Sequence, residues 1–366
     1  MWRELTTIEK RRLFTLALAA ALVRAVYLWL YSRRPEWGEL VVDSLFHVNW
    51  ADDIAGGNVI GDRAFFRSPL YIYVLALFRW LAPTALWPAR VFGSALGVVS
   101  VVLTYLLVRR VYRGKHSERA ALAAAALQAV YPSVIYFEAE LLVDFLFTVL
   151  LQAALFLALT AGAARRRWLW AGALVGLAAL TRATGLVALP LLAYWAWRDF
   201  RQHQRPLGGP LSVVIAALVV IAPVSLRNVI VSGDFTLIAT SGGVNFYIGA
   251  NPAADPVSAA LPEPYGAHWR LSDMRGLAEE FEGRALTDAE VSASWRNRAF
   301  EWIVSHPVDF GALYLRKLGA LLYTHPYSNN RALSVEFAAN AVTRFSPLNF
   351  AALLSLAALG LAVSWN

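Results

Sequence analysis

The sequence predicts an all-α polytopic membrane protein, and three observations carry that prediction. Only 16% of its 366 residues are charged and 58% are hydrophobic, against about a quarter charged in soluble domains. Apolar runs recur at about 13–31, 69–82, 87–108, 119–137, 141–163, 168–181, 184–197, 211–226, 309–323 and 348–365, as membrane helices do. The basic residues fall in short clusters between those runs, the pattern of cytoplasmic loops.

The formal charge of +8 and pI near 9.8 raise the question of nucleic acid. No basic face that would track a phosphate backbone is present, so the excess is a topology signal and nucleic acid is excluded as a partner. The sequence contains no cysteine, which removes disulfides, thiolate metal sites and cysteine nucleophiles.

The basic start followed by the run 13–31 is too long for a signal-peptide core and lacks a small-x-small cleavage site, so it reads as an uncleaved first helix. Arg11-Arg12, the 109–119 cluster, Arg165 to Arg167 and the 198–205 cluster all become cytoplasmic if 69–82 does not cross the bilayer. That run is short and sits between Pro69 and Pro83, as expected of an interfacial or re-entrant helix. The 168–181 and 184–197 runs, broken at Thr181-Arg182, read as one hairpin. One assumption about one segment then satisfies every basic loop. It also gathers the first loop (32–68), the Glu138–Asp144 turn, Arg182 and the polar stretch 227–307 on the non-cytoplasmic side.

The resulting organisation is a membrane bundle over 1–226 with the extracytoplasmic loop 32–68, a second loop or lid over 227–307, and C-terminal membrane helices over 308–366. The 227–307 stretch is the only sizeable soluble part. It is too small for a core of its own and is expected to pack down on the membrane part. Within it, Thr287 and Glu290 have capping-box spacing before a helix that stops at Pro307.

Asp43 and His47 lie one turn apart on one face if the first loop is helical here. A carboxylate close to the bilayer and flanked by apolar residues suits a general base; the bland alternative is a helix cap. Asp52, Asp53 and Asp62 read as cap and turn residues. Glu138, Glu140 and Asp144 sit deep in apolar sequence, with Glu140 and Asp144 at i, i+4. Acids there are functional or partnered, the partners being Arg63, Arg67 or Arg182. Arg182 is a lone cation whose guanidinium fork suits a phosphate or one of those acids. Arg227 reads the same way, or as an interfacial snorkelling side chain. Ser241-Gly242-Gly243 and the stretch from Asn245 to Asn251 offer backbone and amide groups for a sugar or pyrophosphate, or are simply turns. The six histidines are scattered without metal-ligand spacing, and no nucleotide-binding motif is present.

The blocks VVDSLFHVNWADDIAGGN, FFRSPLYIYVLALF, IYFEAELLVDFLF, GLAALTRATGLVALP and SLRNVIVSGDFTLIATSGGVNFYIGANP resemble those of bacterial GT-C glycosyltransferases. These are the family 39/83-like enzymes related to protein O-mannosyltransferases and the lipid A aminoarabinose transferase, and the likeness spans roughly residues 36–310. It implies a GT-C-like helical bundle with juxtamembrane helices and a small mixed loop region outside the cytoplasmic membrane. It also implies inverting transfer from a polyprenyl-phosphate sugar to a hydroxyl of a lipid, glycan or protein acceptor. By that resemblance Asp43 matches the catalytic base and Asp144 the second acid. Arg67 and Arg182 match cations on the lipid phosphate, and His47, Glu138, Glu140, Arg227, Asn245 and Asn251 fall in substrate-binding blocks. No cofactor is demanded; a divalent cation is the one the acids would admit, although Ser44 stands where some relatives carry a second acid. Ser68-Pro69 replaces a double proline, and the chain stops at Asn366 where relatives continue, which reads as a truncated product or a short branch. The competing class is a transporter or flippase of a lipid-linked sugar, which would spread ionisable groups through both halves of the bilayer.

Overall fold

The computed structural model describes residues 5–201, 206–261, 271–323, 327 and 330–364. His203, His268, His325 and the end of the fourth basic cluster lie outside them. In chain order the helices are α1 Thr7–Tyr31, α2 Val42–Ala55, α3 Leu70–Leu81, α4 Trp87–Val111, α5 Ser117–Ala129, α6 Pro132–Ala139, α7 Asp144–Leu159, α8 Arg165–Thr181, α9 Ala188–Arg201 and α10 Gly208–Ser232. They continue as α11 Ser241–Gly249, α12 Leu271–Glu282, α13 Asp288–Ser305, α14 Pro307–Leu321, α15 Leu333–Ala339, α16 Ala341–Arg344 and α17 Phe350–Ser364. No strand occurs among the described residues. The protein is an all-α polytopic membrane protein.

Helices α1, α4 and α10, each of 25 residues, are long and apolar enough to cross a bilayer. The run 119–137 is two helices, α5 and α6, bent by 54°. Pro132 opens α6; a proline is tolerated in a first turn but cannot continue the preceding helix. The α3 helix has 12 residues and is about 18 Å long, short of the ~30 Å hydrocarbon layer. The break at Thr181-Arg182 is real: Arg182 is extended and a 3₁₀ turn, Ala183–Val187, leads into α9.

The chain forms two compact units. The first comprises residues 1–59, 69–221 and 328–366. Within it α4 packs against α1, α5, α6 and α7. Small residues allow close approach in the absence of a hydrophobic drive between helices in lipid. At Gly172 and Gly176 of α8, an added Cβ would collide with the α10 backbone at Val213 and Ala217. Gly93 and Gly97 of α4 have the same four-residue spacing but face Glu138 instead: a Cβ at Gly93 would strike its carbonyl and one at Gly97 its carboxylate. The second pair of glycines is a slot cut for one acid.

A closed ring of side-chain hydrogen bonds joins α4, α5 and α7. Ser100 donates to Gln152 (2.8 Å), Gln152 to Thr104 (3.3 Å), Thr104 to Gln128, and Gln128 back to Ser100 (2.6 Å). Every member gives one bond and takes one. Interhelical bonds of this kind are worth about 0.6 to 1.7 kcal/mol each in a membrane. Gln128→Leu, which breaks two of them, is expected to cost about 1–2 kcal/mol, readable as a lowered denaturation midpoint in detergent.

The second unit comprises residues 60–68 and 222–327. Contrary to the sequence expectation, it has a core of its own, in which Val244, Leu261, Met274, Ala278, Leu286 and Val291 surround Trp295. The difference arises because α11, α12 and α13 each turn an apolar face inward, and Trp295 satisfies its indole N–H on the Met274 carbonyl at 2.9 Å. The expected cap of α13 is present: Thr287 N–H donates to Glu290 and Glu290 N–H to the Thr287 hydroxyl. The Arg284 guanidinium and the Thr287 backbone pull the Glu290 carboxyl down to about 2. A depressed carboxyl stabilises the fold above its unfolded range and loses that effect as the pH falls, so this cap fades only as the pH drops toward about 2.

Candidate active site

Asp43 lies in the first turn of α2, half-buried. Immediately before it, Val42 has φ +44°, the one non-glycine residue with positive φ among those described. A β-branched residue in the left-handed region is strained, typically by 1–3 kcal/mol, and persists only where the surroundings impose it. Ser44 is part of that imposition, since its hydroxyl accepts from Val41 N–H at 3.1 Å and donates to the Val41 carbonyl at 2.9 Å. The start of the helix is therefore fixed from its own first turn.

His47, one turn on, is buried, and its Nδ1 donates to the Leu141 carbonyl at 2.9 Å. A carbonyl only accepts, so the proton sits on Nδ1. This bond fastens the helix carrying Asp43 to the linker that ends at Asp144. The Tyr71 ring packs edge-on against the imidazole. His47 thus positions two acid-bearing elements relative to each other.

The linker departs from the sequence expectation. Glu140 and Asp144 are not on one helical face: α6 ends at Ala139, Glu140 is extended, and Asp144 opens α7. Neither proline nor glycine breaks the helix there; tertiary contacts do. Tyr31 donates to Glu140 at 2.9 Å, Arg90 lies 3.9 Å from the same oxygen, and His47 takes the Leu141 carbonyl. Arg90 also donates to the carbonyls of Ala139 and Trp37 and lies over the Tyr31 and Trp37 rings.

Glu138 is paired, but not with any of the expected arginines. Arg24 of α1 donates from Nη2 to its Oε1 at 2.6 Å, with Nε 2.6 Å from Oε2. Both side chains are 2% exposed or less, and Arg24 donates further to the carbonyls of Ala20 and Ala129. Asp144 is bonded to Arg182, as one reading of the sequence held. This pair is open, with side chains 41% and 53% exposed. The other donors of the Arg182 fork remain available to a ligand.

In the second unit Arg227 is committed to the chain. It donates to the carbonyls of Ile60 (2.7 Å) and Arg63 (2.6 Å) and lies over the Phe65 ring. Its neighbour Asn228 is fully buried; it accepts from Phe65 N–H and donates to the carbonyls of Thr236 and Ile238. Thr240 and Ser241 N–H groups bond Phe65 and Phe66, and Gly243 N–H bonds the Ser292 hydroxyl. Of the Ser241–Gly243 amides offered for a pyrophosphate, those of Ser241 and Gly243 are thus already engaged. Asn251 is buried and donates to the carbonyls of Tyr247, Ile248 and Ala260. Asn245 is exposed on α11, and Arg67 is half-buried. Among the described residues no three His, Asp or Glu side chains gather to hold a metal ion.

Residues 66–226 match the family model described as dolichyl-phosphate-mannose-protein mannosyltransferase. Over that stretch, which is less than half of the chain, it is similar to a family of membrane glycosyltransferases. No curated protein matches it. The matched stretch takes in Glu138, Glu140, Asp144 and Arg182 and begins after Asp43. Sequence reasoning missed Arg24 and Arg90 as partners of the acids. A single cation inside an apolar run is itself the signal that a buried acid lies opposite.

Proposed function

We propose that the protein is a glycosyltransferase that moves a sugar from a polyprenyl-phosphate donor to an acceptor hydroxyl at the extracytoplasmic face of the cytoplasmic membrane, with inversion at the anomeric carbon. The observation that carries this reading is an open Asp144–Arg182 pair in the same compact unit as a carboxylate held behind a strained residue. The family named by the matching model uses a donor of the dolichyl-phosphate class, which is why a lipid phosphate is assigned as the leaving group.

In the reaction the acceptor oxygen attacks the anomeric carbon as the carbon–oxygen bond to phosphate breaks. Asp43 takes the hydroxyl proton, and the bonding electrons leave with the lipid phosphate. A phosphate already carrying charge is a competent leaving group only if a cation absorbs what develops on it. Arg182 has five N–H donors in a planar fork. Asp144 holds the fork in place from one side, leaving the rest to chelate phosphate.

The test is incubation of purified protein with a panel of polyprenyl-phosphate sugars and an alcohol acceptor. One donor should release lipid phosphate and give a glycoside of the opposite anomeric configuration by NMR. A product of retained configuration would overturn the mechanism, and transport of an intact lipid-linked sugar without bond cleavage would replace it.

A further inference from the structure

The second unit encloses a cavity of about 490 Å³, within the roughly 300–1,000 Å³ of small-molecule sites. Phe66, Val244, Met274 and Val291 supply apolar wall. The charged lining consists of Arg63 and the ion-paired Arg275 and Asp288. Arg275 is further held by the Leu286 carbonyl and by Glu279 at 3.3 Å, so its charge is already answered by carboxylates and it is fixed in place. Arg63 differs. Its backbone is pinned by Arg227, while its guanidinium has no hydrogen bond or ion pair among the described residues.

One unpaired cation beside an apolar wall selects for ligand chemistry. A cationic or neutral ligand leaves the guanidinium without its strongest class of partner. A heavily polar one strips its own hydration against Phe66, Met274 and Val291 for no return. The cavity lining also contains no residue from a helix long and apolar enough to cross a membrane. A prenyl chain, which stays in the bilayer, is therefore a poor occupant.

We infer that this cavity is a binding site for a molecule that presents one phosphate or carboxylate on an apolar body and contacts Arg63 through that anion. The inference is independent of the glycosyl-transfer reading, because binding is measured without any sugar donor.

The probe is an eight-carbon carboxylate carrying a diazirine, photolysed with the full-length protein in nanodiscs, with labelled peptides mapped by mass spectrometry. Saturable labelling is expected in the peptides carrying Thr240–Val244 and Met274–Val291. Octanoate and octyl phosphate should compete and octanol should not. Arg63→Gln, an exposed side chain whose loss leaves the backbone contacts intact, should raise the half-saturating concentration about tenfold with an unchanged melting temperature. Val291→Trp, which fills the cavity, should abolish labelling at those peptides. Labelling that ignores Arg63→Gln, that maps elsewhere, or that octanol displaces as well as octanoate would overturn the inference.

Discussion

Replacing Asp43 with asparagine should lower sugar transfer by about 10²- to 10⁴-fold, the usual worth of a positioned general base, while leaving the affinity for the lipid donor nearly unchanged. The change is isosteric and touches neither the Ser44 bonds to Val41 nor the His47 bond to Leu141, so α2 keeps its start and its tether. The amide cannot accept the acceptor proton, and the loss should therefore appear in kcat. Transfer measured in membranes with a radiolabelled polyprenyl-phosphate sugar decides the matter. Turnover within a factor of a few of the parent would remove Asp43 as base. Ser44→Ala is the control for position: the carboxylate stays but the first turn loses its brace, so a smaller fall should follow.

Arg24→Met is expected to be the most destabilising single substitution among the buried charges. It leaves the Glu138 carboxylate in its slot between Gly93, Gly97 and α1 with no compensating charge, a situation that typically costs about 3–5 kcal/mol. By comparison, the polar ring of Gln128 and Gln152 is worth about 1–2 kcal/mol per broken member. The double variant Arg24→Met with Glu138→Leu should recover most of the loss, because the desolvation of both ions disappears together with their attraction. Reversible denaturation in mixed detergent, arranged as a double-mutant cycle, reads the coupling directly. Additive losses would show that the two groups act independently. Gly97→Val offers a second route to the same point, since its added atoms collide with the carboxylate rather than removing it.

Much of this architecture can be read from the chain. The charge deficit and the basic clusters give the polytopic class, and the short run between Pro69 and Pro83 is indeed a 12-residue helix. The Thr287 cap and the break at Arg182 follow from local chemistry that no tertiary contact overrides. What escapes sequence reading is pairing at a distance. Arg24 and Arg90 each sit alone in a strongly apolar run, where any windowed hydropathy averages them away, yet they decide the environments of Glu138 and Glu140. The shared face expected of Glu140 and Asp144 fails for a related reason: the groups that hold the linker between α6 and α7 belong to α1, α2 and α4. Arg227 suits a phosphate by residue type, but carbonyls some 165 residues earlier in the chain engage it first. No periodicity encodes those contacts.

The neighbouring bond between Phe65 and Asn228 has a bearing on biosynthesis. Asn228, which receives the Phe65 amide, follows it by 163 residues. A ribosome adding about 5–20 residues per second needs roughly ten to thirty seconds to supply it. Throughout that interval the segment from Ile60 to Ser68 waits with that partner still unmade. Completion of the second unit is thus timed by synthesis of the intervening helices, and any delay there prolongs the exposure of Ala64 and Phe65, side chains that end up buried.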